Sequence, residues 1–212
     1  MNIKRAIIFL NGDLVEPGPL KAYIDSKKTM LIACDGGLRQ LEKLGYKPGI
    51  IIGDFDSIGA LSLPAGIPQI RYPANKDKTD SALAIRYAME AGFNEIILTG
   101  FIGNRVDHML GNIFLLTQPD FNGIKLKIID GFQEIYVVRS HATIRGSAGD
   151  TMSFFPIGGE TIVSSTGGLK YALDNYVLSA TGNQSISNVL TKNQTKIEVT
   201  QGMVLVVHHK AP

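Results

Sequence analysis

Over the first 140 residues the apolar positions switch repeatedly between two rhythms. Continuous apolar, β-branched runs at 4–10, 30–34, 49–52, 69–72, 95–98 and 126–129 read as buried strands. Between them a 3.6-residue period appears at 37–44, 79–91 and 105–117, and Gly45, Gly92 and Pro119 stand where those helices should stop. In the third helix Val106, Met109, Leu110 and Ile113 are the predicted buried stripe, with Arg105, His108 and Asn112 on a different face. Strand and helix in alternation predict βαβ units, hence an α/β fold with a mainly parallel sheet flanked by helices. Ligands of such sheets collect outside the carboxyl ends of the strands, so chemistry is sought there.

From residue 141 the helical period is gone. Segments 143–145, 151–155, 161–165, 195–200 and 203–208 read as strands between Gly- and Ser-rich turns, with Gly202 at a hairpin. A small all-β sandwich or barrel is expected, so the predicted division is 1–140 and 141–212, with the linker near 139–142.

Composition narrows the partners. The chain has 212 residues, 44% of them hydrophobic, which is ample for a packed core. A formal charge of +2 without a long basic run does not suggest a nucleic-acid or membrane footprint, so small molecules are the expected partners. The first apolar stretch, 6–10, is too short for a signal-peptide core, and no later run approaches the ~20 residues of a spanning helix, so a cytoplasmic address is expected. Cys34 is the sole cysteine and ends a strand pattern, which suits a buried structural thiol. His208-His209-Lys210 reads as a solvated strand end. Acidic residues are uneven: of 19, only Asp150, Glu160, Asp174 and Glu198 lie beyond residue 140. The two parts therefore differ in role.

The acidic motifs of the first part fall just after predicted strands. Asp35-Gly36-Gly37 follows 30–34, and its glycines let a ligand or backbone approach where a Cβ would obstruct it. Gly53-Asp54-Phe55-Asp56-Ser57 follows 49–52; in an extended segment Asp54 and Asp56 would share a face while Phe55 packs inward. Paired carboxylates suit magnesium, which takes one or two of them together with substrate phosphates and water. Lys76-Asp77-Lys78-Thr79-Asp80 opens a helix with Thr79 as N-cap, placing a positive helix end and two lysines where phosphate can bind and Asp77 and Asp80 where a metal can. Residues 100–108, a Gly-rich loop ending in Arg105-Val106-Asp107-His108, add a guanidinium able to meet phosphate bidentately. No Gly-x4-Gly-Lys-Ser/Thr loop is present, which argues against a P-loop kinase.

These motifs, with Thr166-Gly167-Gly168-Leu169-Lys170-Tyr171-x-Leu173 and Ser185-Ile186-Ser187-Asn188 in the second part, resemble the thiamine pyrophosphokinase (thiamine diphosphokinase) family over nearly the whole chain. Asn104 stands where that family commonly has glycine, and Tyr171 where some members have tryptophan. The resemblance implies transfer of the pyrophosphoryl group of ATP to thiamine's hydroxyethyl group, giving thiamine diphosphate and AMP. It implies ATP and magnesium binding in the first domain, thiamine binding in the second, and a homodimer whose sites are shared between chains. Carried over by residue, it implies Asp54, Asp56 and Asp80 as magnesium ligands and catalytic groups, with Arg105 and Asp107 beside the transferring phosphates. It places Asp35, Gly36, Gly37, Ser57, Lys76, Asp77, Lys78, Thr79 and His108 near nucleotide or metal. Gly168, Leu169, Tyr171, Ser185, Ser187 and Asn188 would shape the thiamine pocket. From the acidic cluster alone, a metal-dependent phosphohydrolase and a noncatalytic nucleotide-sensing module remain alternatives.

Overall fold

The computed structural model describes residues 4–25, 28–56, 63–73, 75, 77–182 and 185–211. Its contacts separate two compact units, Met1–Gly131 and Phe132–Pro212. The boundary therefore falls before the expected 140/141: residues 132–140 group with the second unit, and most of them form a strand missed by the apolar pattern, β7 below.

In the first unit β1 (Arg5–Phe9), β2 (Thr29–Cys34), β3 (Ile50–Gly53), β4 (Gln69–Arg71), β5 (Glu95–Thr99) and β6 (Lys125–Asp130) lie in the order β6-β5-β1-β2-β3-β4. Every pairing is parallel. The continuous apolar runs follow from this, because a parallel strand is covered on both faces. Ile7, Phe9, Ala33, Ile51 and Ile97 share one face with Leu20 and Ile24 of α1 (Gly18–Ile24) and Leu38 and Leu41 of α2 (Leu38–Leu44). The alternate residues Ala6, Ile8, Ile32, Ile52, Ile96 and Leu98 are also buried, on the side opposite. There α3 (Asp80–Glu90) packs on β1, β2 and β3 through Ala84, Ile85 and Ala88. Each buried Ile or Leu side chain stabilises by about 1.5–3 kcal/mol. Two expectations need correction. β4 is an exposed edge strand rather than a buried one, and α1, opened by Pro17 as cap, was hidden by its short apolar period.

The second unit has two antiparallel sheets. One has the order β12 (Asn188–Val189), β9 (Thr151–Pro156), β14 (Val204–His209), β7 (Gln133–Val138); the other has β11 (Tyr176–Leu178), β10 (Thr161–Thr166), β13 (Gln194–Gln201), β8 (His141–Arg145). Phe154, Met152, Val204 and Val206 of the first meet Val163, Ile144, Ile197 and Val199 of the second in one core, which makes the unit a sandwich. β13 and β14 belong to different sheets, so Gly202 (φ 73°) turns the chain across the sandwich instead of closing a hairpin. His208 is not solvated: it is 1% exposed, and its Nε2 lies 2.8 Å from Asp150 Oδ2. Asp150 also accepts the Ser147 and Ala211 N–H groups. Burial raises its pKa, but those donors and His208 together leave it below the usual carboxylate range.

Candidate active site

A cavity of about 380 Å³ opens at the C-terminal edge of the parallel sheet. The ends of β1, β2 and β3 supply Leu10, Asn11, Cys34, Asp35, Asp54 and Asp56. Thr79, Asp80 and Ser81 come from the start of α3. Asp107, His108, Gly111 and Asn112 come from α4 (Val106–Leu115). Acidic residues that lie far apart in sequence meet because parallel strands all end on the same edge.

Carboxylate oxygens of Asp35, Asp54 and Asp80 lie within 4.8 Å of one another. Asp35 itself sits at φ 47°, a left-handed conformation that a non-glycine residue rarely adopts. Its Oδ1 accepts the Phe55 N–H at 3.2 Å. Gly53 must be glycine, because a Cβ there would collide with the Asp35 carboxylate. Gly37 lies against the Phe9 carbonyl and Gly36 against the Asn11 side chain, so the paired glycines seat this turn on the end of β1. Burial, then the charge of Asp80, and further that of Asp54 push Asp35 up to about 7, against the Phe55 N–H, which lowers it. Three hard oxygen donors, one of them raised toward neutrality by burial and then by the charges of the other two, suit a divalent cation.

Asp54 and Asp56 both reach the cavity, though not by simple alternation. Phe55 turns left-handed at φ 70° and packs into the core, with Arg71 over its ring at 5.0 Å. Asp56 donates its N–H to Asp54 Oδ1 at 3.1 Å, and its carboxylate is not in the three-oxygen group. Thr79 caps α3 as expected, its Oγ1 accepting the Ala82 N–H at 3.3 Å.

The α4 face differs from the expected stripe. Val106 is 64% exposed and Leu110 48%, while Met109 and Ile113 are half-buried. Arg105, at the N-cap, is gripped by the Asp107 carboxylate through two bonds of 2.9 and 2.6 Å. That guanidinium holds Asp107 well below the usual carboxylate range. Lys78 lies 3.4 Å from Asp120 and, like the exposed Asp77, does not line the cavity. Ser57 and Lys76 lie outside the described residues.

In the second unit, Asn188 is buried with its side chain committed to the main chain of Tyr171. Its Oδ1 accepts the Tyr171 N–H at 3.1 Å and its Nδ2 donates to the Tyr171 carbonyl at 2.7 Å. The Tyr171 ring is thereby displayed, 60% exposed, with the Lys170 ammonium 5.3 Å from its centroid. Gly168 (φ 78°) and the buried Leu169 lead into it. Ser185 bonds the Phe154 carbonyl through its hydroxyl, and Ser187 (φ 58°) donates its N–H to Ser153. Ser185 also lines a separate hollow of about 190 Å³ with Tyr176, Val177, Leu178, Ser179, Thr181 and Gly182.

Sequence reading missed Asn11, Gln40 and Asp130. Gln40 donates to the Gly12 carbonyl at 2.6 Å and Arg39 to Asn11 Oδ1 at 3.2 Å, which fixes the segment after β1. Asn11 and Asp130 stand at or just after strand ends, like the recognised acids, and that position was the available signal.

Carboxylates gathered on one edge of a parallel sheet, followed by an all-β sandwich, define a two-unit protein, an α/β unit with an acidic cavity and an all-β unit after it. Residues 21–128 match the family model "Thiamin pyrophosphokinase, catalytic domain", and residues 134–204 match "Thiamin pyrophosphokinase, vitamin B1 binding domain". The chain belongs to the thiamine pyrophosphokinase family. It is 29% identical over 194 residues to the thiamine pyrophosphokinase of Bacillus subtilis (strain 168), covering 89% of this chain and 90% of that protein. The crystal structure of the thiamine pyrophosphokinase from Bacillus subtilis superposes with a TM-score of 0.86 at 28% identity, over 99% of this chain and 100% of that one. Yeast thiamin pyrophosphokinase, at 18% identity and a TM-score of 0.79 over 99% of this chain and 87% of that one, shares the fold.

Proposed function

We propose that the chain is a thiamine diphosphokinase, transferring the pyrophosphoryl group of ATP to the hydroxyethyl oxygen of thiamine with release of AMP. The observation that carries this reading is the convergence of Asp35, Asp54 and Asp80 in the strand-edge cavity of a chain matched by both family domains. Among the alternatives, a phosphohydrolase or a noncatalytic sensor would have no use for a vitamin B1 binding domain.

Magnesium fits the donor set, which is all carboxylate oxygen. Asp54, Asp80 and Asp35 would hold it, with Asp56 at the same cavity. Bound there, the ion would neutralise phosphate charge and polarise the phosphorus under attack. The chain's own groups orient and balance charge. The α3 N-terminus, capped by Thr79, offers its positive end to phosphate. Arg105 moves from Asp107 to the phosphates and stabilises the charge that develops on them. Asp107, paired with Arg105, is a weak proton acceptor, and it gains basicity when the arginine leaves. His108, which lines the cavity, completes the nucleotide surroundings in this proposal, whereas Lys78 and Asp77 lie outside the lining.

The second unit takes thiamine. Tyr171 offers its ring to the flat, cationic vitamin, and Gly168, Leu169, Ser185, Ser187 and Asn188 hold that surface in shape. The functional unit is proposed as a homodimer in the cytoplasm, each acidic edge completed by the β domain of the other chain. Mixing Asp54→Asn chains with Tyr171→Ala chains tests this sharing, since a heterodimer would contain one intact site; no recovery after demonstrated subunit exchange would sink it. For the reaction, mass spectrometry of the products from protein, ATP, magnesium and thiamine decides. AMP with thiamine diphosphate supports the reading, whereas ADP, or phosphate released without an acceptor, overturns it.

A further inference from the structure

Strands β1 and β5 lie side by side, and the segments that follow them are tied together. Leu10 donates its N–H to Thr99 at 2.9 Å, Gly12 to Gly100 at 2.8 Å and Asp13 to Ile102 at 2.6 Å, and Asp13 bridges Ile102. A Cβ on Gly12 would collide with the Ile102 and Gly100 carbonyls, so the contact has no slack. One segment carries Leu10 and Asn11 to the cavity; the other runs into α4, whose Asp107, His108, Gly111 and Asn112 line it. The junction thus joins two groups of cavity-lining residues.

Asp130, the last residue of β6, sits behind this junction and is 1% exposed. Its Oδ1 accepts the Val15 N–H at 3.3 Å and its Oδ2 the Phe101 N–H at 3.1 Å, one from each segment. Burial pushes it up to about 6, held from rising further by the N–H groups of Phe101, Val15, Ile102 and Gly100. It is therefore largely an anion at neutral pH. A buried carboxylate is costly, and an apolar side chain would serve a core position better.

We propose that Asp130 is a positioning residue whose carboxylate clamps the segment after β1 to the segment after β5, setting the two sides of the nucleotide cavity against each other. The clamp is a statement about the fold; its kinetic consequence rests on the kinase reading. Asparagine in its place keeps the shape but turns an N–H₂ toward one of the backbone donors, which breaks that side of the clamp.

In the full-length protein, Asp130→Asn should raise hydrogen exchange in peptides covering 10–16 and 99–104 while residues 31–34 and 50–53 keep wild-type protection. Turnover per folded molecule should fall by about 10- to 100-fold, as small displacements of reacting groups do. The KM for ATP should rise and that for thiamine should hold. Gly12→Ala, which wedges the same two segments apart from the other side, should reproduce both effects should the asparagine variant fold poorly. Wild-type exchange in both segments, or faster exchange throughout the unit with turnover lost only in proportion to unfolded protein, overturns the clamp. Absence of thiamine diphosphate from the wild-type reaction would instead defeat the kinase reading, and the exchange measurement would still decide the clamp.

Discussion

Replacing Asp35 by asparagine should make the metal-free protein more stable at neutral pH while destroying its use. Burial and the neighbouring Asp80 and Asp54 carboxylates raise Asp35 from 3.8 to about 7. Between those two values the native chain holds a proton that the unfolded chain has released, so stability falls as pH rises through the window and then levels off. A gap of roughly 3 units, at about 1.4 kcal/mol each, would be about 4 kcal/mol for a group cut off from water; partial solvation screens the repulsion and leaves a penalty of about 3 kcal/mol at pH 7 and above. Asparagine removes the charge and offers an N–H₂ to the remaining carboxylates, but it stays buried and polar, so a net gain of about 2 kcal/mol is expected. Urea unfolding in EDTA, followed by circular dichroism, measures it: wild type and Asp35→Asn should nearly coincide at pH 4 and separate by pH 7.5. Magnesium should then close the gap by stabilising the wild type alone. A variant that loses the same stability at pH 7.5 as at pH 4 would refute the repulsion and with it the assignment of a cation site.

Three further outcomes follow from the same structure. Asp54→Asn and Asp56→Asn should each lower AMP formation by about 100-fold or more with the far-ultraviolet spectrum intact, and near-wild-type turnover in either would remove that residue from the site. Because Tyr171 is displayed at the surface of the second unit, Tyr171→Ala should raise the KM for thiamine, leave that for ATP nearly unchanged and shift stability by less than about 0.5 kcal/mol. An equal rise in both constants would contradict the division between units. Asp150→Asn, which weakens the acceptor shared by His208, Ser147 and Ala211, should cost about 1–3 kcal/mol in urea unfolding above the carboxylate range, with the difference shrinking as pH falls through it; an unchanged midpoint would show the buried pair to be dispensable.

Residue pattern alone determined the elements that carry the site. The apolar runs ending in Cys34, Ile52 and Leu98 were legible because a parallel strand buries both faces, and Thr79 was legible as a cap because local chemistry at a helix start needs no distant partner. The acids after those strands could likewise be assigned to one edge before their contacts were known. Which of them meet was a matter for the tertiary structure. Asp35 joins Asp54 and Asp80 because Phe55 turns left-handed and Gly53 leaves room for its carboxylate, and neither feature has a periodic signature. The exposed face of α4, the burial of His208 against Asp150 and the passage of β13 and β14 into different sheets are of the same kind. Asp130 shows the limit most directly: in sequence it is one more acid ending a strand, and only the packing of two distant loops against it gives its carboxylate a backbone N–H from each to hold. Periodicity records which side of an element is buried, whereas a contact between residues 29 or 115 positions apart depends on the path of the whole chain.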